Sequence, residues 1–74
     1  MQDRETVRAH MARLLNHPVH KLRDDVALLE LVTDSMILVN MVIELQEDLR
    51  VRLVHEDLEN VRTVGDLLGV FEQK

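Results

Sequence analysis

The residues with the clearest chemical potential stand in one run, Leu28-Leu29-Glu30-Leu31-Val32-Thr33-Asp34-Ser35-Met36, where a hydroxyl directly follows an acid at the start of an apolar stretch. A serine at the mouth of a helix lies beside amides that lack intrahelical partners, at the positive end of the helix dipole, so a phosphodiester on Ser35 would be well held. The same residue types are also the commonest N-caps, and either Asp34 or Ser35 can serve as one. The four histidines are the other candidates. His17 and His20 are separated by two residues with no further ligand at a known spacing, and two imidazoles make a poor metal site. His10 and His55 stand alone, so all four histidines read as surface groups. Acidic pairs such as Asp24-Asp25 and Glu47-Asp48 lack the alternation of a calcium loop. No metal site and no catalytic residue is expected: the chain offers neither an acid–base constellation nor room for a deep pocket.

Three apolar-periodic segments must position that run, joined by a long connection and a shorter one. Val7, Met11, Leu14 and Leu15 recur at helical spacing behind Asp3 or Thr6 as N-cap, and His17-Pro18 ends this first helix, because proline lacks an amide donor and restrains the residue before it. Pro18 to Asp34 has no sustained period, yet it carries Val19, Leu22, Val26, Leu28, Leu29 and Leu31. It reads as a long loop lying across a core, and loops of that length are often functional. The second helix is expected from Ser35 to Leu49. At 100° per residue with Met36 at zero, Leu38, Met41, Val42, Leu45 and Leu49 fall between about 140° and 240°, the core side. Met36, Val39 and Ile43 extend the apolar arc well beyond what one-sided burial needs, while Ile37 sits among Asn40, Glu44, Glu47 and Asp48. Either a second layer covers the extra arc or it is a docking strip.

Val51, Leu53 and Val54 form a brief extended passage, followed by one helical turn from His55 to Asn60 with acids near its start. The last helix begins after Thr63, which with Asp66 three residues on makes a capping box; Val64, Leu67, Leu68 and Phe71 supply its apolar face. Gly65 and Gly69 each cost about 1 kcal/mol relative to alanine, so a close neighbour is the expected reason for them. The expected fold is all-α: a small four-helix bundle, three main helices plus one short one, in a single domain over residues 1–74.

Composition limits the partners. The 74 residues hold 14 acids against 9 Lys and Arg, a formal net charge of −5, with one Phe and no Trp or Tyr. Acidity repels phosphate backbones and base stacking needs aromatics, so nucleic acid is not an expected partner. With no cysteine, disulfides and thiolate sites are absent. No stretch is long and apolar enough for a membrane span, and Met1-Gln2-Asp3-Arg4-Glu5 lacks the apolar segment of a signal peptide, which makes a cytoplasmic monomer the expectation. Through Arg23 the charge is net positive; from Asp24 onward twelve acids face four Lys and Arg. That acidic two-thirds implies a partner with a basic patch.

Leu-Leu-Glu-Leu-Val-Thr-Asp-Ser-Met resembles the signature around the modified serine of acyl carrier proteins, typically Leu-Phe-x-Leu-Gly-x-Asp-Ser-Leu. The acid-studded helix, short extended segment, acidic turn and Arg62-Thr63-Val64 opening a final helix are similar to the rest of that family. The resemblance implies a free-standing carrier. Ser35 would receive 4′-phosphopantetheine from coenzyme A through a separate phosphopantetheinyl transferase, with Asp34 contributing to the transferase site, and the arm's thiol would bear an acyl group as a thioester. Acyl-loading and acyl-processing enzymes with basic or apolar patches would dock on Met36, Ile37, Val39, Asn40, Ile43, Glu44, Glu47 and Asp48.

The family commonly has acids where Ile37 and Asn40 stand, and glycine where Val32 stands. The greasier flank beside Ser35 suggests a dedicated partner in a specialised pathway. Met11, Leu38, Met41, Val42, Leu45 and Leu68 would line the space between helices, either as ordinary core or parting to admit an acyl chain. The competing reading is an unmodified helical adaptor that binds a partner helix through the same apolar arc.

Overall fold

A computed structural model describes residues 2–74; Met1 lies outside the described residues. Helix α1 spans Arg4–Leu15 and is capped by Asp3, whose carboxylate accepts the Thr6 N–H at 3.1 Å. It stops where Asn16 takes a left-handed conformation and donates its N–H to the carbonyls of Ala12 and Arg13, before Pro18 is reached. A 3-10 turn, Val19–Lys21, and a single α-helical turn, α2 (Leu28–Leu31), follow. Helix α3 runs Ser35–Leu49, α4 is one turn at His55–Leu58, and α5 runs Val64–Glu72. The described residues are therefore all-α, with three long helices as expected and, beyond the expected short one, a 3-10 turn and one further α-helical turn. The sequence reading left Leu28–Leu31 in the loop because four residues are too few to show a helical period.

The core is aliphatic with one aromatic. Val7 and Met11 from α1, Leu22 from the loop, Leu45 from α3, and Val64, Leu67, Leu68 and Phe71 from α5 are fully buried, and Leu28 and Met41 nearly so. Leu22 and Leu28 make the first connection part of the core rather than a cover over it. The same connection is stitched to the start of α5. Leu28 N–H donates to the Arg62 carbonyl at 2.9 Å, Val64 N–H to Val26 at 2.9 Å and Gly65 N–H to Asp24 at 3.0 Å. Ala27 and Thr63 form an isolated antiparallel bridge in the middle of this seam.

Gly65 is needed for the seam and Gly69 is not. A Cβ at Gly65 would stand 2.9 Å from Asp24 Cβ and 3.0 Å from its carbonyl, whereas one at Gly69 would meet nothing within 4 Å. The close neighbour expected of the pair thus exists at only one of them.

Two arginines fasten the seam from outside. Arg4 bonds the Asp24 carboxylate at 2.9 Å, the Gly65 carbonyl at 3.2 Å and the Glu72 carboxylate; Arg8 bonds Asp24 at 2.7 Å, Glu5 at 3.1 Å and the Leu22 carbonyl. The guanidinium of Arg8, and next that of Arg4, hold the Asp24 carboxyl below the ordinary carboxylate range. The positive N-terminal segment is therefore partly consumed internally.

At α5 the capping box is complete: Thr63 Oγ1 accepts from Asp66 N–H, and Asp66 accepts from the N–H groups of Arg62 and Thr63, each at 3.1 Å. At α4 only the return half forms. Asp57 accepts the Val54 N–H at 2.9 Å, and valine has no side-chain acceptor to answer. No helix among the described residues is long and apolar enough to cross a membrane.

Candidate functional site

Ser35 is the first residue of α3 and is exposed. Which of the two neighbours caps the helix decides what the hydroxyl is free to do. Asp34 is the cap: its backbone is extended (φ −120°, ψ 120°), its carboxylate accepts the Met36 N–H at 2.9 Å and its carbonyl accepts the Ile37 N–H at 3.0 Å. The serine oxygen is spared the capping role and projects from the positive end of a fifteen-residue helix. Just upstream, Val32 is extended at φ −137° and ψ 148°, a conformation any residue adopts, so valine in place of glycine is accommodated without strain.

The helix beyond Ser35 has two unlike halves. Met41 and Leu45 are buried, and Leu38, Val42 and Leu49 pack half-buried beside them, so the expected inner face is reproduced. Met36, Ile37, Val39 and Ile43 keep 57%, 47%, 47% and 48% of their surface exposed. No second layer covers them. Asn40, Glu44, Glu47 and Asp48 are exposed too, so the eight residues expected to meet partners share one bare half of α3, apolar along one edge and acidic along the other.

The six residues expected between the helices, as ordinary core or as walls that part for an acyl chain, divide. Met11, Met41, Leu45 and Leu68 are closed into the core. Leu38 and Val42, by contrast, border an open apolar cleft of about 260 Å³ with Leu28, Val39, Leu58 and Val61. A second cleft of about 500 Å³ adjoins it through Leu28, Leu38 and Val61 and reaches Leu29 and Arg62. The available space thus lies outside the packed centre, between α2, α3 and the segment before α5. Val61 and Leu58 were not singled out from the sequence, since one apolar residue in a connection or in a single helical turn carries no periodic signal.

Not every histidine is a surface group. His17 is half-buried, with Nε2 2.8 Å from the Leu31 carbonyl, and His10 is half-buried with Nδ1 2.9 Å from the Thr6 carbonyl; His20 and His55 are exposed. The His10 acceptor lies one turn back in α1, whereas the His17 acceptor is fourteen residues away, a contact that spacing within a loop does not reveal. Among the described residues no three His, Asp or Glu side chains gather as a metal site.

The depressed carboxyls lie away from Ser35. Asp57 is lowered first by the Val54 N–H and then by Lys74, 3.0 Å away; Asp66 is lowered first by the Arg62 and then by the Thr63 N–H. With Asp24 these are groups that hold the fold together. Around Ser35 the arrangement offers a presented hydroxyl, a helix terminus and an apolar flank, which suits a covalent handle better than a catalytic centre. A family model described as a phosphopantetheine attachment site matches residues 5–71.

Proposed function

The chain belongs to the phosphopantetheine attachment-site family, whose members carry covalently attached 4′-phosphopantetheine, and we propose that here the arm is joined to Ser35 by a separate phosphopantetheinyl transferase using coenzyme A. It is a carrier rather than a catalyst: when bound, the arm supplies a thiol that holds an acyl group as a thioester. We read residues 1–74 as one carrier domain that works as a monomer in the cytoplasm.

The observation that carries the assignment is the exposed Ser35 at the start of α3 with its capping duty taken by Asp34. A phosphodiester on that oxygen fits the site: the helix terminus favours its negative charge, and no burial has to be undone to reach it. Asp34 is the residue we expect to assist at the transferase. It cannot be replaced freely, because the same carboxylate holds the Met36 amide.

Met36, Val39 and Ile43 form the apolar edge of the docking surface, and Asn40, Glu44, Glu47 and Asp48, with Ile37 among them, the polar edge. Exposed aliphatic groups in this number on one helix are the mark of a surface meant to be covered. With Ile37 and Asn40 lacking charge, the partner's patch is apolar near the serine and basic further along α3, as expected of a dedicated enzyme in a specialised acyl-processing pathway.

Intact mass spectrometry after incubation with coenzyme A and a broad-specificity transferase tests the reading. A single phosphopantetheine adduct is expected, and Ser35→Ala abolishes it. A wild-type chain that stays unmodified favours the adaptor, which needs only the apolar arc.

A further inference from the structure

The segment that presents Ser35 is short of support of its own. Helix α2 is a single turn, so its last carbonyls have no downstream amides to receive. After Leu31 the chain extends through Val32 and reaches Asp34 without another helical bond. Its front end is tied to the seam by Leu28 N–H on the Arg62 carbonyl. Its back end packs the half-buried Leu31 against the core and takes a hydrogen bond from one side chain. His17 Nε2 stands 2.8 Å from the Leu31 carbonyl, and because a carbonyl can only accept, the ring nitrogen donates.

His17 is itself well anchored. Its N–H donates to the Ala12 carbonyl at 2.9 Å, its neighbour Asn16 closes α1 in the left-handed conformation, and Pro18 follows with its fixed φ. The ring therefore transmits the position of α1, a core helix, to the carbonyl four residues before Ser35. We propose that His17 is a positioning residue for Ser35: by holding the exit of α2 it sets where the serine oxygen stands for modification. This role rests on the carrier reading above. His17 acts through the Leu31 carbonyl, not on the serine oxygen itself.

Two variants and two readouts test it on the full chain. Gln can place an amide nitrogen about as far from Cβ as histidine Nε2 and still donate; Ala cannot. In His17→Ala, amide hydrogen exchange measured by NMR on the unmodified protein rises roughly three- to tenfold, the loss of one hydrogen bond, at the Met36 and Ile37 N–H groups, which bond to Asp34, while α5 amides exchange as in the wild type. Transfer of phosphopantetheine, followed by intact mass, then shows kcat lowered by a similar factor with KM retained, because the docking half of α3 is untouched. His17→Gln restores both. Unchanged exchange and unchanged transfer in His17→Ala would overturn the role alone. Exchange that rises equally in α5, or that Gln fails to restore, would reduce His17 to a general structural residue and overturn it as well. A wild type that accepts no phosphopantetheine would sink the carrier reading itself, and this role with it.

Discussion

Helices α5 and α3 are both rich in aliphatic residues, and they spend them differently. In α5, Val64, Leu67, Leu68 and Phe71 are all fully buried. In α3, Met41 and Leu45 are buried while Met36, Ile37, Val39 and Ile43 stay about half exposed. One helix holds the protein together. The other shows as much grease to solvent as it gives to the core, directly after the serine. The difference teaches that apolar content does not separate a core helix from a presenting one; the angular width of the apolar arc does, since about 100° suffices for burial on one side.

The largest effect should come from breaking the core side of this comparison. Phe71→Ala is expected to cost roughly 3–5 kcal/mol in urea or guanidinium unfolding, enough to leave a 74-residue chain largely unfolded. A loss below about 1 kcal/mol would mean that α5 is not the keystone. Next is the glycine pair within α5. Gly65→Ala pushes a methyl against Asp24 and should destabilise by roughly 1–3 kcal/mol, whereas Gly69→Ala, with open space, should stabilise by up to about 1 kcal/mol. Equal shifts in melting temperature for the two would contradict the seam between Asp24 and Gly65.

Removing the Thr63 cap should cost about 1 kcal/mol in Thr63→Ala and fray the first turn of α5, visible as faster exchange at Asp66 N–H. Acidification comes below that in size. Asp24, Asp57 and Asp66 titrate lower in the fold than in the unfolded chain, so their contribution is complete above the ordinary carboxylate value and fades as pH falls through the lower folded one, below about pH 4. In thermal melts at about pH 6, Asp24→Asn should fall below wild type, and the gap should narrow as the pH falls below about 4. A gap that stays as wide there would point to packing rather than charge. Smallest for stability is the presenting side. Ile37→Ser and Ile43→Ser should leave unfolding within about 0.5 kcal/mol while weakening capture by the partner enzyme. A cost comparable to that of Phe71→Ala would show that these positions belong to the core after all.

Much of this was legible beforehand for a local reason. The bounds Ser35–Leu49 and the box of Thr63 with Asp66 follow from residue types three and four positions apart, the range over which a helix satisfies or orphans its own amides. The serine could be singled out because an acid precedes it at such a boundary. The turn Leu28–Leu31 could not. It forms because Leu28 enters the core and its amide finds Arg62, and neither cause lies within the segment. Met11, Met41, Leu45 and Leu68 proved ordinary core while Leu38 and Val42 border a cleft, a division settled the same way: an inward-facing residue belongs to a packed centre or a cleft wall, and periodicity treats the two alike.

By itself the sequence determined three long helices, the capping box of the last, an acidic and cysteine-free chain, and a hydroxyl at a helix mouth, because each depends on neighbours within about one turn or on composition alone. Tertiary structure decided which apolar groups stay uncovered, why only Gly65 is indispensable, and how Arg4 and Arg8 fasten the Asp24–Gly65 seam while His17 reaches the Leu31 carbonyl. Those contacts join residues from fourteen to sixty-eight positions apart, a separation at which no local pattern of residue types can choose one partner over another.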